Sequence, residues 1–323
     1  MKAIRIQKTG GPEVLELQDI ELSPPDPAQA RVRHTVIGVN FIDTYHRSGL
    51  YPAPLPTGIG LEAAGIVESV GENVTNVKTG DRVAYCSGPL GAYAEANNVP
   101  ADRLVKLPAN VADEIAAAAL LKGMTAQYLL KRTFPVQRGQ TILFYSAAGG
   151  VGLIACQWAK HLGVNVIGTV GSDSKIALAK ENGCAHVINT EKQDWVKRVR
   201  ELTNGEGVPV VYDSVGKDTW DRSLDCLAVR GLMVSFGNSS GAVPDFAPGI
   251  LSAKGSLYLT RPTLMHYTRT REELQQTADD LFAVLASGVV KVQVNQHFKL
   301  SEARAAHEAL HSRKTTGATV LIP

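Results

Sequence analysis

Hydrophobic and polar positions change rhythm twice along this chain. In the first third, apolar runs at Arg31–Val39, Ala64–Val70 and Arg82–Tyr85 stand between turn signals at Gly10-Gly11-Pro12, Gly71-Glu72-Asn73 and Lys78-Thr79-Gly80-Asp81. Short strands with no helix of crossover length predict a partly open barrel or sandwich. From Asp113 to Arg132 the composition turns to strong helix formers, Glu114-Ile115-Ala116-Ala117-Ala118-Ala119-Leu120-Leu121 among them. This predicts a helix, with Asn110 or Asp113 as its cap.

From Gln140 the rhythm becomes strand then helix. Thr141–Ser146, Val164–Val170, His186–Asn189, Val208–Ser214 and Leu232–Phe236 read as buried strands. Val151–Leu162, Lys175–Glu181, Trp195–Leu202 and Thr219–Leu227 read as the helices between them. That alternation predicts parallel strands joined by crossovers. After about residue 264 come a helix (Arg271–Ser287), a strand near Val289–Val294, a short helix (Ser301–Ser312) and a last strand, Ala318–Ile322. A lone last strand needs a sheet to join. The expectation is therefore a doubly wound α/β domain over 123–263, inserted in a mainly β domain made of 1–122 and 264–323.

Composition narrows the possibilities. A chain of 323 residues suits two domains. The 33 Lys+Arg against 31 Asp+Glu leave a formal charge of +2, too little to hold nucleic acid by phosphate neutralisation alone. No apolar run approaches the roughly 20 residues of a membrane span. Met1–Ile6 goes straight into a strand pattern without a signal-peptide core, so the expected location is the cytoplasm. Cys86, Cys156, Cys184 and Cys226 are scattered, which argues against a zinc lobe or disulfide framework. Cys156 and Cys226 read as small buried hydrophobes.

The sharpest chemical signal is Ala147-Ala148-Gly149-Gly150-Val151-Gly152, between a predicted strand and a predicted helix. A dinucleotide fold needs small residues there. The chain must turn tightly, bring backbone N–H groups to a pyrophosphate and pack the helix close. The helix N-terminus adds unpaired donors and partial positive charge. The next strand would end in an acid if the ribose 2′-hydroxyl were read; here Thr169-Val170-Gly171-Ser172 carries none, and Lys175 follows. That combination favours a 2′-phosphate, hence NADPH over NADH. Asp173 reads better as a helix cap than as a ribose contact.

Several separated motifs carry a family resemblance. They are Gly10-Gly11-Pro12-Glu13-Val14-Leu15, Asn40-Phe41-Ile42-Asp43-Thr44-Tyr45, Gly60-Leu61-Glu62-Ala63-Ala64-Gly65 and Lys122-Gly123-Met124-Thr125-Ala126. The Gly-rich turn, Tyr212-Asp213-Ser214-Val215-Gly216 and Phe236-Gly237-Asn238 complete the set. In this order they resemble the zinc-free quinone oxidoreductases of the zeta-crystallin type, within the medium-chain dehydrogenases/reductases. The resemblance implies a GroES-like catalytic domain, a Rossmann domain, NADPH, a quinone bound in the cleft between domains, and a homodimer. It implies that Asn40, Asp43 and Tyr45 line the catalytic cleft, with Asn40 and Tyr45 as hydrogen-bonding groups and Asp43 orienting neighbours. It also implies cofactor contacts from Phe41, Ile42, Thr44, Thr125, Ala148, Gly149, Gly150, Val151, Gly152, Gly171, Ser172, Lys175, Thr190, Ser214, Phe236, Gly237, Asn238 and Arg313. Thr190 stands where relatives commonly place a tyrosine.

Zinc-dependent relatives carry a cysteine where this chain has Asn40 and a histidine where it has Leu61. Leu61 cannot ligate and an Asn amide ligates zinc poorly. Alcohol oxidation normally needs a Lewis acid, whereas an electron-poor quinone needs little electrophilic help. His307-Glu308-Ala309-Leu310-His311 is a literal H-E-x-x-H. Only 12 residues follow it, none able to supply a third ligand, so two solvated histidines are the expectation. Two other functions fit the same scaffold: an NADPH-dependent alkenal or enone reductase, and a dinucleotide-sensing or RNA-binding protein with little turnover.

Overall fold

Strand β1 (Lys2–Ile6) pairs antiparallel with β2 (Glu16–Asp19), and β4 (Thr57–Gly58) joins its other edge. Strand β3 (Gln29–Val39) is the spine of a larger sheet with β5 (Glu62–Val70), β6 (Arg82–Tyr85), β7 (Ala96–Pro100) and β8 (Val105–Lys106). Inward alternation along β3 buries Ala30, Val32, Ile37 and Val39. The computed structural model describes residues 1–312 and 315–323. Contacts divide it into one unit of Met1–Met124, Thr268–Ala286 and Val292–Pro323, and a second of Thr125–Tyr267 with Ser287–Lys291.

The first unit also holds a short helix, α1 (Phe41–Ser48), which the sequence reading did not anticipate. Helix α2 (Asp113–Tyr128) follows β8. Asp113 is its first residue and not a cap in front of it, and Asn110 lies in the preceding turn. The Asp113 carboxylate is occupied by Arg82 and by the Thr35 hydroxyl.

The second unit is a six-stranded parallel sheet. It contains β9 (Thr141–Phe144), β10 (Asn165–Val170), β11 (Cys184–Asn189), β12 (Val208–Asp213), β13 (Leu227–Ser235) and β14 (Tyr258–Thr260). The order is β11-β10-β9-β12-β13-β14, with the reversal between β9 and β12. Helices α3 (Gly150–His161), α4 (Ile176–Glu181), α5 (Trp195–Leu202) and α6 (Trp220–Asp225) make the crossovers. Leu143, Ile167, Val211 and Trp220 belong to its core. Two further helices, α7 (Gly249–Ala253) and α8 (Leu264–Tyr267), lie on either side of β14 in the sequence.

The chain then returns to the first unit with α9 (Arg271–Ala286), β15 (Val294–Lys299), α10 (Ala303–His311) and β16 (Ala318–Ile322). Strand β16 pairs antiparallel with β3 and parallel with β15. The last strand thus finds its partner in the first unit, as its sequence required. The strand expected near Val289–Val294 is displaced: pairing begins at Val294 and runs to Lys299. The register of β16, fixed by β3, decides which residues of the preceding segment are zipped.

Candidate active site

In the second unit, one edge of the sheet gathers the residues after the carboxyl ends of its strands. Tyr145 N–H donates to the Tyr212 carbonyl (3.0 Å), Ala147 N–H to the Thr169 carbonyl (2.9 Å) and Thr190 N–H to the Val170 carbonyl (3.0 Å). Phe236 N–H donates to the Asp213 carbonyl (2.8 Å), and the Ser214 hydroxyl to the Ser146 hydroxyl (3.2 Å). The Gly-rich turn and Ser214 therefore flank the sheet's reversal point, where open α/β sheets place ligands.

The turn has no room for larger residues. A β-carbon on Gly152 would lie 2.3 Å from the Ser146 carbonyl oxygen and 2.7 Å from the Ala147 α-carbon. Gly149 takes the N-cap position of α3 with no side-chain cap, and Gly150 and Val151 are half-buried in its first turn. The backbone donors there are thus left for an anion. Ser146 has φ of 53°, a left-handed conformation uncommon outside glycine. The expected strand Thr141–Ser146 therefore stops short, at Phe144. Ala148 is buried beneath the turn. These features fit a dinucleotide pyrophosphate.

Across β10, Gly171 is exposed and has no atom within 4 Å of where its β-carbon would be. Ser172 takes the N-cap position of a 3₁₀ turn, Asp173–Lys175, so Asp173 is not the cap expected of it. The Asp173 carboxylate accepts from Asn189 Nδ2 at 2.6 Å and pairs with Lys192. Lys192 and then Asn189 hold its pKa below the usual carboxylate value. Partial burial pulls the Lys175 ammonium pKa down. Gly237 packs so close that a β-carbon would lie 2.5 Å from the Ser214 carbonyl oxygen, which brings Ser214, Phe236, Gly237 and Asn238 together. Thr125 is buried in α2. Arg313 lies outside the described residues.

In the first unit, Asn40 caps α1 and is itself buried. Its Nδ2 donates to Glu62 Oε2 at 2.8 Å. Glu62 is fully buried and also accepts from Leu121 N–H (2.6 Å) and Lys122 Nζ (3.3 Å). Asp43, also fully buried, accepts at Oδ2 from Asn40 N–H (2.8 Å) and the Tyr93 hydroxyl (2.9 Å). Burial pushes its carboxyl up to about 7, against the pull of those two donors. Thr44 is buried, its hydroxyl on the Phe41 carbonyl at 2.7 Å. Phe41 packs on the unit's core, and Ile42 is half-buried. The Tyr45 ring is buried, edge-on to Tyr51 at 5.2 Å between centroids.

The H-E-x-x-H histidines are not both solvated. His307 is fully buried, its Nδ1 2.9 Å from Arg47 Nη1 and its Nε2 3.0 Å from the Tyr93 hydroxyl. Burial, then the charge of Arg47, depresses its pKa to about 3. His311 alone is exposed. The signal was present in the sequence: Ala303, Ala306, His307 and Leu310 form one helical face, and all four are buried. Glu62, Lys122, Arg47, Tyr93 and His307 were not singled out as functional, since no local spacing joins them. Among the described residues no three His, Cys, Asp or Glu side chains form a group able to hold a metal ion. The donor set explains this. Leu61 offers no ligand atom, Asn40 is engaged with Glu62, and burial raises the Cys86 thiol pKa well above its usual value.

Two family models match the chain: an alcohol dehydrogenase GroES-like domain over residues 26–109 and a zinc-binding dehydrogenase over residues 150–283. A quinone oxidoreductase of Pseudomonas aeruginosa is 56% identical over 323 residues, covering 100% of this chain and 99% of the relative. A 2-haloacrylate reductase of a Burkholderia species is 46% identical, covering 98% of each. The crystal structure of the Escherichia coli quinone oxidoreductase complexed with NADPH superposes with a TM-score of 0.99 at 53% identity, over 100% of each chain.

Proposed function

Because this chain belongs to the quinone oxidoreductase family of the medium-chain dehydrogenases/reductases, we propose that it uses NADPH to reduce a quinone without a metal ion. The observation that carries this reading is the glycine-built turn at the sheet's reversal point, beside a β10 end that lacks a ribose-binding acid. Bound NADPH supplies the hydride. The backbone from Ala148 to Gly152 receives the pyrophosphate, and Lys175 receives the 2′-phosphate. Gly171, Ser172 and Thr190 border the adenosine ribose, while Thr125, Ser214, Phe236, Gly237 and Asn238 border the rest of the cofactor. With one amide hydrogen held by Glu62, Asn40 keeps a second hydrogen and its carbonyl oxygen for the carboxamide or the quinone oxygen. Tyr45 donates to the substrate oxygen as negative charge develops there. Asp43 acts through Asn40 and is a positioning residue.

The test is steady-state reduction of a benzoquinone with NADPH and with NADH, before and after exhaustive chelation. Turnover with NADPH that survives chelation supports the reading; turnover that needs added metal defeats it. The 46% identity to a 2-haloacrylate reductase favours a second reading, hydride delivery to an activated carbon–carbon double bond. Higher kcat/KM for a haloacrylate or enone than for benzoquinone would select it.

We also infer a cytoplasmic homodimer. Four free, buried cysteines suit a reducing compartment. Among the described residues no helix is long and apolar enough to cross a membrane. Edge strand β14 presents Tyr258 at 63% exposure and lies beside Val229 at 74%, a surface a second copy would cover. Sedimentation of the parent and of Tyr258→Lys tests this, a monomeric parent being the adverse result.

A further inference from the structure

The polar groups behind α1 form one series with a fixed direction. Arginine can only donate, so Arg47 Nη1 gives its hydrogen to His307 Nδ1, which leaves the ring proton on Nε2. His307 Nε2–H then donates to the Tyr93 oxygen, and the Tyr93 hydroxyl to Asp43 Oδ2. The same carboxylate oxygen accepts Asn40 N–H. Three of these side chains are fully buried and Arg47 is 1% exposed, so water does not compete for the bonds. The series joins α10, the segment before β7, and both ends of α1, since Asp43 and Arg47 lie one helical turn apart.

We propose that Arg47, His307 and Tyr93 are positioning residues for catalysis: they hold the Asp43 carboxylate on Asn40 N–H and thereby fix the first turn of α1. Asn40 and Tyr45 then meet the substrate in a single geometry. This rests on the quinone reductase reading, in which those two side chains contact the reacting molecule. It also gives a use to the H-E-x-x-H pattern, whose first histidine faces an arginine and a tyrosine and no metal ligand. The charged groups around the series are Lys122 and Glu62 beside Asp43, and Glu13 and His311 beside Arg47. A neutral His307 is required throughout, because a protonated ring would turn Nδ1 into a donor facing a donor.

Tyr93→Phe removes the central hydroxyl and keeps the ring. His307→Leu removes both ring nitrogens, whereas His307→Gln retains an acceptor and a donor. Three readouts are taken on the full-length protein: hydrogen exchange of the Asp43, Thr44 and Tyr45 amides, NADPH affinity by fluorescence, and kcat and KM for benzoquinone. Tyr93→Phe and His307→Leu are expected to speed amide exchange and to lower kcat by about tenfold each, the rate change that about 1.4 kcal/mol of barrier produces. NADPH affinity weakens by less than kcat, about threefold at most, because the turn that receives the pyrophosphate is untouched. His307→Gln recovers most of the turnover. Unchanged exchange at α1 would overturn the proposal, and so would faster exchange with parental kcat. A parent that binds NADPH but reduces no quinone would defeat the activity reading and with it the catalytic role, leaving exchange to report whether the series anchors α1.

Discussion

Glu62 fills the space that Gly38 leaves open: a β-carbon on Gly38 would lie 2.3 Å from Glu62 Oε2. The carboxylate so accommodated is the acceptor for Asn40, Leu121 N–H and Lys122. Losing its charge strands a buried ammonium. Glu62→Gln is therefore expected to destabilise the fold by about 3 kcal/mol, the usual cost of breaking a buried pair from one side. The double variant with Lys122→Met should recover part of that in urea unfolding. Purely additive losses would show that the two groups are not coupled.

Asp43 gives the fold a measurable pH dependence. Its carboxyl ionises near 7 when folded, against an ordinary 3.8, because burial penalises the charge. Between those values the folded protein holds a proton that the unfolded chain releases. The contribution is complete below about pH 4 and is lost as pH rises through 7, by up to roughly 4 kcal/mol. Asp43→Asn keeps the acceptor and lacks the titration. Melting at pH 5 and at pH 7.5 should differ less for the variant than for the parent; equal differences would contradict the assignment.

Two glycines near the same sheet edge separate close packing from mere flexibility. Gly152→Ala places a methyl against backbone atoms of Ser146 and Ala147 that cannot move independently, whereas Gly171→Ala meets open space. Weakening of NADPH binding by about tenfold or more is expected for the first, as helix and turn separate from the pyrophosphate. The second should melt with the parent. Fluorescence titration checks the first and thermal melting the second.

Lys192 neutralises Asp173, an acid in the same 3₁₀ turn as Lys175 of the proposed 2′-phosphate site. Removing it by Lys192→Ala exposes that carboxylate to the phosphate. The pair is solvent-exposed, so the expected loss of preference for NADPH over NADH is only about two- to fivefold, shrinking with added salt. Lys175→Ala should cost more because that side chain is partly buried. A preference unchanged in Lys192→Ala would remove Asp173 from the account of specificity.

Much of this architecture is legible in local pattern. The Gly149–Gly152 turn is readable because its constraints act between residues within six positions of each other. The last strand, Ala318–Ile322, is legible as an apolar run without a local partner. Strand β15 was misplaced because Val289–Val294 has the stronger alternation, while pairing follows the register of β16. The Asp43–Tyr93–His307 contacts span |i−j| of 50 and 214, distances over which spacing carries no information. Burial of His307 was readable from the α10 face, yet its partners were not.

Closure of β3 by β16 sets an order of assembly during synthesis. The parallel sheet's strands are complete once residue 260 has been made, whereas the larger sheet around β3 lacks two strands until residue 322. On the ribosome the inserted domain can mature first, while β3 waits with an unpaired edge. A nascent chain stalled shortly after residue 290 should therefore resist protease across its middle and be cut within its first third.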